Sequence, residues 1–139
     1  MFGMSKKQFL KKSKNYLKDL GIELLLIREL YTQETKENID LEEAYHKLEK
    51  VRKQLENMFF KFERLNPPSK CKQLQINLLS VTTTLQESVV TNSEHVNLAK
   101  NGLNDDASVK LKTSIDELEK FRKDFMKLSQ EVDYYLKQL

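Results

Sequence analysis

A Glu-x-x-His motif is the first group of residues whose spacing could do chemistry. Glu43 and His46 have the spacing that di-iron four-helix bundles repeat on two helices, together with further inward carboxylates. His95, the other histidine, has Asn92 three residues before it, so the motif has no second copy. The apolar stripe of this region also puts Glu43 at its edge and His46 on its far side. We therefore predict a solvated helix face here and no metal site.

The single cysteine is the second candidate for chemistry. Cys71 lies between Lys70 and Lys72 at the predicted start of a helix, where the helix dipole and nearby cations can activate a thiol. It has no histidine close in sequence, however, and it falls seven residues before Leu78 on an apolar row. This favours a buried structural thiol. A lone cysteine cannot form an internal disulfide, which indicates a reducing compartment, or at least a fold that needs no disulfide.

Other motifs with a known chemistry do not occur in the sequence. It contains no glycine-rich phosphate loop, no nucleophile elbow and no zinc-ligand spacing. The sequence therefore predicts a protein that is not an enzyme. It also predicts no cofactor, no metal and no small-molecule substrate.

Residues 1–18, here called the basic head, concentrate the positive charge of the chain. They contain six lysines and no acidic residue, and because the whole chain carries +3, the remainder carries −3. On a helix, four of these lysines fall along one face, where they could contact an anionic membrane surface or nucleic-acid phosphates. The alternative is the solvated face of an ordinary helix. The candidate contacts with an anionic ligand are Lys7, Lys11, Lys14 and Lys18.

Heptad rows of apolar residues define the helices that must position these groups. Rows counted from Leu41 and Ala44 stay apolar through Leu65, and a second pair of rows ends at Leu139. Within those rows only Ser114 is polar. Such rows are typical of coiled coils and helical bundles, in which each helix buries one stripe against its neighbours.

Local signals divide the chain into four helices. Asn38 or Asp40 can cap the second helix, the Pro67–Pro68 link ends it, and Asn101–Gly102 ends the third. The third helix is the weakest, because Asn92 thins its apolar row and its β-branched runs prefer strands. Short links place sequential helices antiparallel. The predicted fold is all-α, an elongated antiparallel up-down-up-down four-helix bundle in a single domain, 1–139, with helices over about 5–33, 39–65, 69–100 and 105–138.

The first helix carries a wider apolar stripe than one bundle seam requires. A stripe of that width is covered on more than one side, by the other helices or by a second copy of the protein. In the second helix, two adjacent phenylalanines cannot both fit the core rows. We therefore predict binding to another protein or to a second copy, as a homodimer, through a candidate partner surface of Ile22, Leu26, Leu30, Phe59 and Phe60.

The remaining features concern location and origin. The apolar run Gly21–Arg28 contains Glu23 and Arg28 and no small-residue cleavage site follows it, so we expect neither a secretory signal nor a membrane span, and a cytoplasmic location. The Pro67–Pro68 link followed by a polar-faced helix resembles small helical proteins of Gram-positive bacteria, and this resemblance implies a bacterial source and no particular activity. The predicted function is protein–protein interaction in an adaptor or structural role, with anionic-surface binding by the basic head as the alternative.

Overall fold

The computed structural model of the chain describes residues 3–36 and 39–139. Within these ranges the backbone forms four long α-helices and no strand, which confirms the prediction of an all-α four-helix bundle. Met1 and Phe2 of the basic head, and Asn38 as the alternative cap of the second helix, lie outside the described residues. The helices are α1 (Lys6–Thr35), α2 (Leu41–Glu63), α3 (Lys72–Lys100) and α4 (Asn104–Lys137).

Side chains next to the first two helices fix where those helices begin. Before α1, the Ser5 hydroxyl accepts a hydrogen bond from the Gln8 amide at 3.1 Å, and the Gln8 side chain accepts one from the Ser5 amide at 2.9 Å. Before α2, the Asp40 carboxylate accepts bonds from the amides of Glu42 and Glu43. These caps satisfy amides that have no partner inside the helix.

The link between α2 and α3 is built around its two prolines. Neither Pro67 nor Pro68 has an amide hydrogen to donate, so the chain at the end of α2 needs a hydrogen-bond donor from elsewhere. The side-chain amide of Gln75 supplies it, donating to the carbonyl oxygens of Phe62 at 2.9 Å and Leu65 at 2.8 Å. A short 3-10 turn, Ser69–Cys71, then leads into α3.

Gly102 ends α3 in the way that its sequence predicts. Its φ angle of +77° lies in the left-handed region that glycine adopts without steric cost. In that conformation the Leu103 amide donates to the Leu98 carbonyl at 2.9 Å, and the Gly102 amide donates to the Ala99 carbonyl at 3.1 Å. This pair of bonds satisfies the last turn of α3 and lets α4 begin at Asn104.

The four helices pack in a ring in which α1 contacts α2 and α4, and α3 contacts the same two. Polar contacts between the helices join the early part of one to the late part of another. The Met4 amide, before α1, donates to the Asn66 carbonyl, after α2, at 2.9 Å. Lys14 pairs with Asp133 at 3.0 Å, and Lys110 pairs with Glu94 at 2.8 Å. These contacts place the early part of α1 beside the late parts of α2 and α4, and the early part of α4 beside the late part of α3.

Most residues of the heptad rows lie in the buried core, although Leu139 is 57% exposed, and the two ends of that core differ. The end formed by the start of α1 and the end of α2, here called the aromatic end, buries Phe9 and Phe62 completely. The ring of Tyr16 packs edge-on against Phe62 with 5.5 Å between the ring centres. The opposite end, formed by the end of α1, the end of α3 and the start of α4, is here called the polar end. It buries the side chains of Tyr31, Glu34, Ser88, Asn92, His95 and Ser114.

Candidate functional site

The outer face of α1 carries three neighbouring apolar side chains that the bundle leaves uncovered. Ile22 is 58% exposed, Leu25 is 64% exposed and Leu26 is 52% exposed. Their spacing of three and four residues puts them on one face of the helix. Single exposed apolar residues are common on soluble proteins, whereas a contiguous group is typical of a binding surface. These three residues are here called the α1 strip.

A groove between α1 and α2 adjoins the α1 strip. It has a volume of about 270 Å³, and its apolar lining includes Leu26, Leu30 and Val51. Its charged lining has opposite signs on the two helices, with Glu23 and Glu29 on α1 and Lys47 and Lys50 on α2. Burial raises the pKa of Glu23, and the positive charge of Lys50 opposes that shift. The groove thus offers apolar contact between two charged edges, as an amphipathic helix requires.

The other residues of the predicted partner surface are placed differently. Leu30 is only 4% exposed and belongs to the core, so its place in an exposed surface was wrong. It lies on the inner side of α1, one turn from the exposed Leu26, and contributes to the lining of the groove. Phe59 is half-buried, and Phe60 is 39% exposed beneath the guanidinium of Arg64. Both rings lie beyond the part of α2 that lines the groove, so the structure does not bring them to the α1 strip.

The lysines of the basic head lie on the first half of α1, and not all are free. Lys7, Lys11, Lys14 and Lys18 are exposed. Lys14 pairs with Asp133 of α4, and the ammonium of Lys6 lies over the ring of Tyr135, 5.3 Å from its centre. Within residues 3–36 and 39–139, Lys7, Lys11 and Lys18 have no ion-pair partner. Three of the four lysines predicted to contact an anionic ligand are therefore available to it.

Hydrogen bonds connect the buried side chains of the polar end across three helices. The Ser88 hydroxyl donates to the Ser114 carbonyl oxygen at 2.7 Å, and the Tyr31 hydroxyl lies 2.9 Å from the Ser88 oxygen. The Asn92 amide donates to the Ser114 hydroxyl at 3.0 Å. Burial raises the pKa of Tyr31, and its bond with Ser88 partly offsets this. The network joins α1, α3 and α4 through polar groups that water cannot reach.

Glu34 and His95 are the titratable pair of this end. His95 Nδ1 lies 2.8 Å from the Ala107 carbonyl oxygen, so this nitrogen carries the proton of that bond, because a carbonyl only accepts. The other ring nitrogen lies 3.9 Å from Glu34 Oε2, which is too long for a hydrogen bond. Neither oxygen of Glu34 has a hydrogen-bond partner among the described residues. Burial raises the pKa of Glu34 to about 7, and the nearby Asn92 amide opposes that shift.

The sequence gives partial signals for this polar end. Ser114 interrupts one apolar row of the sequence and Asn92 interrupts another. In the structure both residues are buried and form a hydrogen bond with each other. Glu34 was assigned to a polar link, yet α1 continues through it. Leu20, Ile27 and Glu34 are spaced by seven residues. This spacing was the one feature of the sequence that indicated burial of Glu34. All six side chains are buried, so they form part of the core and not a surface that a substrate could reach.

The residues first considered for chemistry lie apart from one another. His46 and Glu43 are both exposed on α2, where His46 Nε2 lies 3.8 Å from the Glu42 carboxylate and Glu43 forms an ion pair with Lys47 at 3.0 Å. Cys71 is buried at the start of α3. Within the described part of the chain, no group of three or more His, Cys, Asp or Glu side chains has a geometry that could hold a metal ion.

Comparison with known proteins leaves the fold and these surfaces as the basis for a functional argument. No family model, curated protein or solved structure matches the chain. Across residues 3–36 and 39–139, none of the helices combines the length and the apolarity that a membrane crossing needs.

Proposed function

We propose that the protein is a non-enzymatic interaction protein that binds an α-helix of another protein chain through the α1 strip. The observation that carries the proposal is the contiguous exposure of Ile22, Leu25 and Leu26 beside the groove between α1 and α2. An amphipathic helix laid along this face would remove the three side chains from water, a gain of roughly 25 cal/mol for each Å² buried. The charged edges of the groove would fix its direction.

The other exposed apolar side chains give this surface a control. Ile76 of α3 is 56% exposed, almost the same as Ile22 at 58%. A substitution of either isoleucine by glutamate adds one charge to an exposed helix position and should leave the fold intact. The two substitutions differ in the location of the added charge, because Ile76 is on α3 and Ile22 is within the α1 strip.

The experiment is a capture assay in lysate of the source organism, with the tagged full chain as bait and mass spectrometry of the bound proteins. We expect the same stoichiometric protein on the unchanged chain and on Ile76→Glu, and its loss on Ile22→Glu. Adding an untagged copy of the chain to the lysate makes self-association visible in the same assay. A partner that remains bound to Ile22→Glu would contradict the proposal, and so would the recovery of no protein chain at all.

The free lysines of the basic head favour a second candidate function, binding to an anionic membrane surface. Each exposed lysine near such a surface adds about 1 kcal/mol of attraction. The triple variant Lys7→Glu, Lys11→Glu, Lys18→Glu should stop co-sedimentation with vesicles rich in phosphatidylserine. A matched control changes Lys112, Lys120 and Lys127 of α4, which are also exposed. Equal loss in both triple variants would point to net charge alone, and retention by duplex DNA in place of vesicles would identify a nucleic-acid ligand.

A further inference from the structure

The outer face of α1 has two rows of exposed residues. The two rows are complementary in size and charge when they run in opposite directions. Asn15, Ile22 and Glu29 follow one another at seven-residue steps, and Lys18, Leu25 and Thr32 form the second row. All six side chains are exposed. In an antiparallel pair of helices, one row of the first helix faces the other row of the second. Two copies of α1 in this arrangement would bring Ile22 against Leu25 twice at the centre.

The charges next to this centre are also complementary. With Ile22 facing Leu25, Lys18 of one copy faces Glu29 of the other, and twofold symmetry produces that contact twice. Neither Lys18 nor Glu29 has an ion-pair partner within residues 3–36 and 39–139. A parallel pairing would place Lys18 against Lys18 and Glu29 against Glu29, so like charges oppose it. The charges therefore favour the antiparallel arrangement.

The next pairs in the same register have compatible sizes and polarity. Leu26 of one copy faces Gly21 of the other, and a glycine leaves room for the longer side chain. Gly21 is half-buried, against the ring of Phe125. Asn15 faces Thr32 further out, and both are uncharged polar residues. The face thus has an apolar centre, two ion pairs around it and polar residues beyond, as in an interface with a dry core and a polar rim.

We propose that the helix bound by the α1 strip is α1 of a second copy, so that the protein forms a twofold antiparallel dimer. This inference rests on the proposed function, since it names the partner of the same surface. The dimer predicts a result that binding to an unrelated protein does not predict. In a self-complementary interface, exchanging the two charges within one chain restores both ion pairs.

Sedimentation equilibrium of the purified full chain tests the dimer directly. We expect reversible dimerisation, weakened by Ile22→Glu and not by Ile76→Glu. Lys18→Glu and Glu29→Lys should each raise the dimer dissociation constant by about tenfold or more, because each places like charges in contact twice. The double variant Lys18→Glu, Glu29→Lys should return it to within about threefold of the unchanged chain. Circular dichroism of each variant confirms that the helices are retained.

Two results would overturn the proposal. One is a chain that stays monomeric up to a concentration of about 1 mM. The other is a dimer in which the double variant is weakened as much as both single variants together. If the chain is monomeric but a lysate protein is lost on Ile22→Glu, the proposed function holds and the second copy is excluded as its partner. If the charge variants do not fold, the salt dependence of the unchanged dimer tests the ion pairs instead. Its dissociation constant should rise with added salt, and a dissociation constant that does not change with salt would contradict the ion pairs.

Discussion

The aromatic end and the polar end of the bundle share the same heptad construction and differ in what they bury. Phe9 and Phe62 at the aromatic end are completely buried, and burial of apolar area stabilises them. At the polar end the titratable side chains of Glu34 and His95 are buried as well, with 4% and 8% of their surface exposed. A buried polar group stabilises only when it is paired, and a buried carboxyl also responds to pH. We therefore expect the aromatic end to contribute most of the stability and the polar end to contribute most of its dependence on pH.

The largest expected effect is at the aromatic end. Phe62→Ala should lower the free energy of unfolding by about 3–5 kcal/mol, because it removes a fully buried ring and leaves a cavity. Urea unfolding followed by circular dichroism measures the change. The matched control is Phe60→Ala on the same helix, where the ring is 39% exposed and the cost should be much smaller. Equal losses in the two variants would remove the basis of the comparison.

The pH dependence of stability should come from Glu34. Its pKa is about 7 in the folded chain against an ordinary value of 4.5, so between these values the folded state binds more protons than the unfolded state. The free energy of unfolding therefore falls as pH rises from about 4.5 to above 7, by about 3 kcal/mol for this shift.

Glu34→Gln tests this assignment, since glutamine keeps the shape and cannot ionise. The variant should be more stable than the unchanged chain at pH 8, by up to about 3 kcal/mol, and should lose the fall in stability between pH 4.5 and 7. Urea unfolding over that pH range is the measurement. Glu87→Gln, at an exposed position of α3, should keep the pH dependence of the unchanged chain. The same dependence in Glu34→Gln would assign it to another group.

The hydrogen bonds of the polar end should give a smaller effect. Ser88→Ala leaves both the Tyr31 hydroxyl and the Ser114 carbonyl without this partner, which should cost about 1–3 kcal/mol. Tyr31→Phe keeps the bond from Ser88 to Ser114 and should cost about 1 kcal/mol. Thermal unfolding of both variants, with Ser80→Ala at an exposed position of α3 as the control, measures the difference. A larger loss in Tyr31→Phe would show that the Tyr31 hydroxyl contributes more than the two hydrogen bonds of Ser88 together.

The smallest effect should come from the exposed ion pair at the aromatic end. Lys14 and Asp133 lie 3.0 Å apart, and both side chains are nearly half exposed to water. Their coupling energy in a double-mutant cycle of Lys14→Ala and Asp133→Ala should be below about 1 kcal/mol and should shrink with added salt. A coupling as large as the Glu34 effect would mean that exposed charges stabilise this bundle as much as buried groups do.

The heptad rows predicted which faces are buried, because helical periodicity directly reports on burial. Leu48, Leu55 and Phe62 all lie in the core, and Asp40 and Gly102 act at the helix ends as their residue types indicate. Periodicity does not reveal which helix a polar residue will meet. Glu34 lies close to His95 because α1 and α3 face each other across the core at this end, and no local pattern encodes that arrangement.

The candidate surface was predicted only in part for a related reason. Ile22 and Leu26 are exposed as predicted, whereas Leu30 is buried one turn further along the same helix. A wide apolar stripe indicates that some of its residues are not buried in the core. Which residues are buried and which are exposed depends on how α2 packs against α1. Leu25, which at 64% is the most exposed residue of the α1 strip, was not among the residues predicted to contact a partner.

The side-chain amide of Gln75 also has a consequence for the order of folding. It bonds to carbonyl groups 10 and 13 residues earlier in the chain, so the contact needs only a small loop. Loops of that size close within about 10–100 ns, far faster than the association of helices distant in sequence. The junction between α2 and α3 can therefore form early and hold these two helices as a hairpin, onto which α1 and α4 then assemble.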